Sequence, residues 1–328
     1  MDPLDITDKG ILMQMIAALR KGNSRMVNAV EMHAALTQRV LGQDHILEEL
    51  CRVIRWAWGA EHRDKPVANL LFVGPPATGK TELAKAMAEY LFDDEKNMLR
   101  FDCSEFSGPE GKTRLIGTPT GYAGAKDGGQ LTHPMFANPK RLVLFDEIEK
   151  AYSGLLDLML SLMGEGRLTE QGSGRVADFT QSVIVMTSNI AHQEIAKLQN
   201  QIDDPDELEY AVREMLGGSE VFRPEIVSRL DRIFIFKPLD DNNRARVAAL
   251  KIIKAGKDYG VRIKEIAPEL IREIAFPNGA EQDIRGLARM VGKTLGESLM
   301  HAKEKGYSTV TISADSSGKP IVSAAQEL

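Results

Sequence analysis

Gly74-Pro75-Pro76-Ala77-Thr78-Gly79-Lys80-Thr81 is the stretch that decides the fold of this chain, because of what stands on either side of it. The apolar residues 70–73 precede it, and a helix-periodic stretch follows from Glu82. The pattern G-x-x-x-x-G-K-[ST] binds nucleoside triphosphates where a strand ends and a helix N-terminus presents free N–H groups to phosphate. Both flanks are present, so we predict a strand, a phosphate-binding loop and a helix in that order.

The residues of this loop have separate expected tasks toward ATP. Gly74 and Gly79 let the backbone wrap the phosphates, Lys80 reaches the β- and γ-phosphates, and the Thr81 hydroxyl is a ligand for Mg²⁺. The alternative is a glycine-rich turn that binds nothing. The other predicted contacts to the nucleotide are Pro75, Pro76, Ala77, Thr78 and Glu82.

The composition is that of an ordinary globular protein. A length of 328 residues suggests about two domains, and 43% hydrophobic residues suffice for a core in each. The net charge of -6 and the pI of about 5.7 argue against a protein that coats nucleic acid. Nucleic acid is therefore not the default partner by charge, although a local basic patch stays possible.

Cysteine usage and the N-terminus indicate the compartment. Cys51 and Cys103 are the two cysteines, and their separation fits no metal site, so we expect two buried thiols in a reducing environment. The N-terminus is acidic where a signal peptide would be basic, and no apolar run approaches the ~18 residues that span a bilayer. These features predict a cytoplasmic protein without a membrane span.

Five β-like runs alternate with helical patterns in the first two thirds of the chain. Such alternation is typical of a parallel sheet with helices on both faces, whose strands are continuously apolar because both faces are buried. We therefore predict a P-loop α/β fold with a parallel five-stranded sheet and flanking helices, and we expect function at the carboxyl ends of the strands. The predicted strands are 69–73, 98–103, 141–145, 182–188 and 231–236.

The pattern changes on both sides of this region. Residues 11–19 and 26–36 place apolar side chains at helical spacing, and after residue 239 helical patterns replace strands. The later pattern predicts helices at 240–258, 268–276 and 283–304 and a strand pair at 309–312 and 321–323. The predicted domains are an N-terminal helical segment (1–36), a large α/β nucleotide-binding domain (37–239) and a small, mostly α-helical lid domain (240–328).

Polar residues end two of the predicted strands, where they would lie beside the phosphate loop. We expect Asp146 to hold Mg²⁺ through water and Glu147 to orient and deprotonate the water that attacks the γ-phosphate. An acidic pair at a helix N-terminus is the alternative. After the next strand, Asn189 would place an amide between Glu147 and the γ-phosphate, or else form an N-cap before residues 191–198.

The order of these motifs resembles AAA+ ATPases of the Clp unfoldase type, and in particular the second ATPase ring of the ClpA/ClpB heat-shock proteins. The resemblance covers about residues 38–305, and it implies hydrolysis of ATP with Mg²⁺ in a homo-oligomeric, hexameric ring that acts on a protein substrate or adaptor. Any one motif could arise by chance, whereas their joint order is specific. Besides the phosphate loop, the motifs are segments 40–43, 101–106, 121–124, 146–151, 165–169, 187–189 and 222–225.

The resemblance implies roles at matching positions. Val40 and Leu41 would frame the adenine, and Arg229 matches the arginine finger that reaches the γ-phosphate of a neighbouring subunit, a task suited to a permanently charged guanidinium. Arg223 is the second candidate for this finger. Arg285 matches the arginine of the small domain that senses ATP in the same subunit, although the family normally shows Gly-Ala-Arg where this chain has Asp-Ile-Arg.

Tyr122 lies in the glycine-rich stretch 117–129, which is too polar and flexible to form core. In similar proteins this loop projects an aromatic side chain into the axial channel of the ring and grips an extended polypeptide, and residues 165–179 match a second channel loop. Ala123 replaces a bulkier apolar residue and is expected to weaken the grip. The alternative is a lone exposed tyrosine.

Several features of the resembling proteins have no counterpart here, among them a large N-terminal domain, a first ATPase ring, a zinc module and a peptidase-docking tripeptide. We therefore expect different partners, with residues 1–36 serving as an adaptor-binding surface or packing into the core. The leading hypothesis is an ATP-hydrolysing ring that threads or remodels protein substrates. The alternatives are a nucleotide-controlled assembly platform or secretion-system component and, less favoured by the acidic charge, a DNA-associated motor or loader.

Overall fold

The computed structural model describes residues 26–219, 221–277, 284–316 and 318–325, with the side chains of residues 284 and 285 excepted. In these residues the α-helices are α1 Ala29–Thr37, α2 Asp44–Trp58, α3 Lys80–Phe92, α4 Glu110–Ile116, α5 Thr132–Ala137, α6 Ser153–Glu165, α7 His192–Gln199, α8 Pro205–Gly217, α9 Pro224–Val227, α10 Asp241–Asp258, α11 Pro268–Ala275 and α12 Ile284–Glu304. Short 3-10 helices are Glu95–Asn97, Cys103–Phe106 and Ile148–Lys150. The strands are β1 Ala68–Val73, β2 Met98–Asp102, β3 Leu142–Asp146, β4 Arg167–Thr169, β5 Val176–Asp178, β6 Val183–Ser188, β7 Arg232–Ile235, β8 Arg262–Ile266, β9 Thr309–Ala314 and β10 Pro320–Ala324.

The central sheet contains the five predicted strands in the order β2-β3-β6-β1-β7, and all of its neighbouring pairs are parallel. This confirms the predicted parallel five-stranded sheet of a P-loop α/β fold. The register places Asp102 opposite Asp146, and Phe72 opposite Thr187. Because parallel strands end on the same edge, the carboxyl ends of β1, β3 and β6 lie side by side.

Successive side chains of each strand enter opposite cores, which is why the strands are apolar without interruption. Leu70 and Phe72 of β1 pack with α1, α2 and α3, whereas Leu71 and Val73 pack with the helices on the other face. All six residues of β1 are buried. Each such side chain contributes roughly 1.5–3 kcal/mol of burial, so β1 forms a firm base for the loop that follows it.

The described part of the N-terminal segment belongs to the α/β core. Asn28 caps α1 through its side-chain oxygen, which accepts hydrogen bonds from Val30 N at 3.0 Å and Glu31 N at 3.4 Å. Met32 and Leu36 are fully buried in the cluster that also holds α2 and α3. Residues 1–25 lie outside the described residues. The domain boundaries predicted from the sequence therefore stay predictions. The structure packs α1 on the α/β unit that follows it.

After β7 the chain forms a smaller unit with its own core, made by α10, α11, α12 and a three-stranded sheet in the order β10-β9-β8. The sequence predicts only the β9–β10 pair, so it misses β8, which pairs in parallel with β9. β8 has two apolar residues among charged ones and is largely exposed, and such a segment looks like a loop. None of the described helices has the length and apolar character needed to cross a bilayer.

Candidate nucleotide-binding site

The loop between β1 and α3 has a backbone that only glycine tolerates at its ends. Gly74 has a φ of 141° and Gly79 a φ of 101°. A Cβ at Gly74 would lie 2.6 Å from the Phe236 carbonyl oxygen, so the loop passes directly against the end of β7. Gly79 is the N-cap of α3 and provides no side-chain cap. The N–H groups of the first turn are therefore oriented toward the loop, where an anion is favoured.

The Lys80 side chain lies inside the loop, where it contacts Asn189, the residue that directly follows β6. The Lys80 ammonium donates to the carbonyl oxygens of Gly74 at 2.8 Å and Pro75 at 2.7 Å, and to Asn189 Oδ1 at 2.8 Å. Lys80 is 6% exposed. Two predicted site residues that are more than a hundred positions apart thus meet directly, because β1 and β6 are neighbours in the sheet.

Asp146 is 6% exposed and is contacted from two sides by the side chains of Thr81, Thr187 and Arg100. The Thr81 hydroxyl lies 3.3 Å from both carboxylate oxygens, and the Thr187 hydroxyl donates to Oδ1 at 2.5 Å. On the other side, the Arg100 guanidinium donates to Oδ2 from Nη2 at 2.7 Å and from Nε at 3.1 Å. Carboxylate and hydroxyl oxygens are ligands that Mg²⁺ prefers. Thr81 and Asp146 therefore fit the predicted metal site.

No group of three or more His, Cys, Asp or Glu side chains suited to a metal ion is present in the part of the chain that the structure describes. A protein cage for a metal is thus missing from that part. Mg²⁺ is usually bound by one or two protein oxygens together with substrate phosphates and water. The pair formed by Thr81 and Asp146 matches this mode, in which the nucleotide supplies the remaining ligands.

Glu147 adopts the left-handed conformation, with φ 57° and ψ 53°, which is uncommon for a residue with a side chain. Its N–H donates to the Thr187 hydroxyl at 3.0 Å, and Thr187 also donates to Asp146, so one side chain contacts the Asp146 carboxylate and the backbone of Glu147. The Glu147 carboxylate accepts from the Lys150 ammonium at 2.5 Å, which raises the pKa of Lys150. Glu147 reaches the same cavity as Asn189.

A cavity of about 670 Å³ extends from the phosphate loop to the small unit. This volume is within the usual range of small-molecule sites. Val40 and Leu41 line it opposite apolar side chains of the small unit, which suits the flat apolar faces of a purine base. The small unit contributes Leu239, Val247 and Leu250 to the lining.

Charged groups of opposite sign surround the mouth of this cavity. Arg39 contacts Glu82 at 2.6 Å, Glu89 at 2.5 Å and Glu95 at 3.0 Å. Burial alone lowers the pKa of Arg39, but the three carboxylates outweigh it and raise that pKa. The Glu82 side chain thus contacts Arg39, and the contact of Glu82 with the nucleotide stays a prediction. Lys251, Lys254 and Lys257 of α10 line the same cavity.

The predicted finger arginines lie outside this cavity, against α6. The Arg229 guanidinium donates to the Leu160 carbonyl oxygen and crosses Gly164, where a Cβ would collide with it. Arg223 forms an ion pair with Asp157. Neither arginine is among the residues that line the cavity. Arg285 lies in the first turn of α12, and its side chain is outside the described residues.

Tyr122 is also not among the residues that line the cavity, and it is 72% exposed. Its loop contains left-handed glycines at Gly121 and Gly124, and no heavy atom lies within 4 Å of the Cβ position of Gly121. The second predicted channel loop, residues 165–179, contains the β4–β5 hairpin. The structure therefore separates the predicted nucleotide contacts from the predicted channel residues.

Sequence reasoning missed three side chains that organise the site. Arg100 and Thr187 both bond Asp146, and Gln43 bonds the carbonyl oxygens of Thr78 at 3.3 Å and Lys237 at 2.8 Å. Gln43 is fully buried, and it joins the phosphate loop to the connection with the small unit. A polar residue within an apolar strand was the available signal for Arg100 and Thr187. This signal identifies their partner Asp146 only once the strand order is known, because β2 and β6 are the neighbours of β3 in the sheet.

Comparisons with known proteins agree with this geometry. A family model described as AAA domain (Cdc48 subfamily) matches residues 65–233, just over half of the chain. Chaperone protein ClpB of Streptomyces albus G is 36% identical over 84% of this chain and 31% of its own length. Chloroplastic chaperone protein ClpC2 of Oryza sativa subsp. japonica is 35% identical over 89% of this chain and 34% of its own length. Chaperone protein ClpB of Aquifex aeolicus is 35% identical over 90% of this chain and 31% of its own length.

The chain thus spans about one third of the length of these curated relatives. The matched segment contains the phosphate loop, both carboxylates at the end of β3 and the asparagine after β6. These are the residues that the fold brings together at one edge of the sheet. This chain therefore belongs to the AAA domain family, Cdc48 subfamily, and has the nucleotide-binding fold of a Clp-type AAA+ ATPase.

Proposed function

We propose that this protein is an ATP-dependent ring motor that remodels, unfolds or threads protein substrates through a central channel. The observation that carries the proposal is the convergence of Lys80, Thr81, Asp146, Glu147 and Asn189 on one cavity. The relatives named ClpB and ClpC are chaperones. This similarity to chaperones supports an action on proteins.

The hydrolytic step follows from the positions of these side chains. Lys80 would exchange its carbonyl acceptors for oxygens of the β- and γ-phosphates, whose negative charge attracts its ammonium. Thr81 and Asp146 would hold Mg²⁺, which supplies charge neutralisation at the phosphates. Glu147 would take a proton from the attacking water, and the Asn189 amide would orient that water and the γ-phosphate.

A neighbouring copy of the chain would complete the site. Arg229 and Arg223 are remote from the cavity of their own subunit, as expected for a residue that acts across a subunit interface. The loop carrying Arg229 is held to the central sheet, because the buried Asn69 amide donates to the Arg229 carbonyl oxygen at 3.2 Å. We therefore include a hexameric ring in the proposal, with Arg229 as the finger and Arg223 as its alternative.

Protein substrates would contact the exposed loop that carries Tyr122. Its aromatic ring is available to an extended chain, and aromatic faces bind polypeptides without regard to sequence. A cytoplasmic location is part of the proposal. It is supported by Cys51 and Cys103, which are free and buried, and burial raises the pKa of Cys51 to about 12, so its thiol stays protonated.

The test separates nucleotide binding from hydrolysis. Lys80→Ala should lose tight ATP binding, whereas Glu147→Gln should bind ATP and lose about 10² to 10⁴ in turnover, since only Glu147 acts on water. Steady-state ATP turnover and a nucleotide titration are measured on both variants. Glu105→Gln, which changes an exposed carboxylate outside the cavity, is the control. Normal turnover in Glu147→Gln would contradict the proposed mechanism.

A further inference from the structure

Glu170 is a buried carboxylate remote from the nucleotide cavity. It lies in the turn of the β4–β5 hairpin and is only 4% exposed. Its Oε1 accepts hydrogen bonds from the Gly129 N–H at 3.0 Å and from the Thr132 hydroxyl at 3.1 Å, and its Oε2 accepts from the Ser173 hydroxyl. Gly129 ends the loop of Tyr122, and Thr132 begins α5. The carboxylate of one predicted channel loop is thus bonded to the base of the other.

Further contacts join the same two segments. The Gln171 N–H donates to the Ile116 carbonyl oxygen at 2.8 Å, at the start of the Tyr122 loop, and the Thr120 hydroxyl donates to the Gly172 carbonyl oxygen at 3.2 Å. The Arg175 guanidinium lies 3.9 Å from the centre of the Phe136 ring on α5. The hairpin is therefore attached near both ends of the loop and to the helix after it.

The two segments also lie close together at two glycines. A Cβ at Gly172 would lie 2.2 Å from the Ala125 carbonyl oxygen, and one at Gly117 would lie 3.3 Å from Glu170 Cγ. Burial alone raises the pKa of Glu170, but hydrogen bonds from Ser173, Gly129 and Thr132 outweigh it and lower that pKa. The tie is therefore made by a charged carboxylate, whose hydrogen bonds are stronger than those between neutral groups.

We propose that Glu170 is a positioning residue that couples residues 117–129 to the β4–β5 hairpin, so that both segments present Tyr122 to a polypeptide as one unit. The inference rests on the proposed function in one respect, namely that this unit contacts a protein substrate. The coupling itself is a property of the isolated chain. It requires an acceptor oxygen on the side chain of residue 170 and does not require contact between Glu170 and the polypeptide.

The test compares Glu170→Ala with Glu170→Gln by hydrogen–deuterium exchange of the full chain. Alanine removes the acceptor of the Gly129 N–H, whereas the glutamine carbonyl oxygen keeps it. We expect exchange in residues 117–131 to become about tenfold faster in Glu170→Ala, the factor that corresponds to ~1.4 kcal/mol of lost hydrogen bonding. Glu170→Gln should stay closer to the wild type. Exchange in β1 should be the same in all three proteins.

Fluorescein-labelled casein, an unstructured polypeptide, serves as the probe of function. In Glu170→Ala the casein concentration that half-stimulates ATP turnover should rise severalfold, while turnover without casein stays near that of the wild type. Glu170→Gln should restore most of the casein response. A residue needed only for folding would instead lower exchange protection in β1 and basal turnover together, and that result would overturn the positioning role.

Unchanged exchange in residues 117–131 of Glu170→Ala would likewise overturn the coupling. If Glu170→Ala does not fold, Thr132→Val removes a single donor to Glu170 and is measured by the same exchange experiment. Faster exchange in residues 117–131 of Thr132→Val would support the coupling, and unchanged exchange would overturn it. Failure of the proposed function is distinguishable, because the wild type and Tyr122→Ala would then respond equally to casein. The exchange result would still report on the coupling through Glu170.

Discussion

Replacing Gly74 by alanine is expected to damage the nucleotide site although the new methyl group would not touch the nucleotide. Gly74 has a φ of 141°, a region that residues with side chains rarely occupy. The added Cβ would lie 2.6 Å from the Phe236 carbonyl oxygen and 3.0 Å from the Phe236 Cβ. Phe236 cannot withdraw easily, because its N–H donates to the Val73 carbonyl oxygen at 2.8 Å and its side chain is fully buried.

The expected size of the effect follows from these two contributions. Backbone strain costs about 1–3 kcal/mol, and overpacking against a fixed neighbour costs about 1–3 kcal/mol, so the free energy of unfolding should fall by about 2–6 kcal/mol. Partial relief would require the loop to shift. A shift moves the Gly74 carbonyl oxygen, which accepts from Lys80 at 2.8 Å, and so displaces the ammonium that the phosphates need. ATP affinity should fall at least about tenfold, or ~1.4 kcal/mol.

Chemical denaturation and titration with a fluorescent ATP analogue measure the two effects. Gly260→Ala is the matched control, since Gly260 has a φ of 75° and no heavy atom within 4 Å of its Cβ position. It should lose only about 1–2 kcal/mol of stability and keep its ATP affinity. Equal stability losses in the two variants, together with wild-type ATP binding by Gly74→Ala, would refute the steric reasoning.

Three other predictions concern the channel, the interface and pH. Tyr122→Ala should hydrolyse ATP at nearly the normal rate but fail to remodel a protein client, whereas Tyr122→Phe keeps the aromatic face and should remodel it. Full function of Tyr122→Ala would favour an assembly platform over a threading motor. Arg229→Ala should lower ATP turnover about 10³- to 10⁵-fold, and mixing this variant with Lys80→Ala subunits should restore some activity. If co-assembled rings show no rescue, either Arg223 is the finger or Arg229 acts within its own subunit. Because the folded pKa of Glu170 is lowered, its carboxylate stabilises the protein above pH 4.5 and this contribution is lost as pH falls through the folded pKa. The difference in unfolding free energy between the wild type and Glu170→Gln should therefore shrink in acid, and a constant difference would argue against this assignment.

The fold and the chemical centre were predictable because their signals are local. A complete phosphate loop between an apolar strand and a helix specifies a P-loop unit, and continuous apolar runs specify strands that are buried on both faces. Asp146 and Glu147 stand at the end of such a run, where the topology of a parallel sheet places catalytic groups. These signals occupy a few adjacent residues, so no knowledge of distant contacts was required.

Short and polar elements were harder to predict. The strand β8 was missed, because its register is decided by pairing with β9, which lies more than forty residues later in the chain. For residues 1–36 the sequence left open an adaptor surface or core packing, and in the described part of this segment the structure packs α1 against α2 and α3. An amphipathic pattern shows that a helix has an apolar face without showing which surface covers it.

The sequence by itself determined that this chain has a phosphate loop, a parallel sheet and two carboxylates at a strand end. Only the tertiary structure decided that Arg100 and Thr187 hold Asp146, and that Glu170 joins the hairpin to the loop of Tyr122. The physical reason is the sequence separation over which the two kinds of interaction act. Backbone propensity and burial pattern act between near neighbours in sequence, whereas a buried polar group is stabilised by whichever partner the folded chain brings within about 3 Å of it.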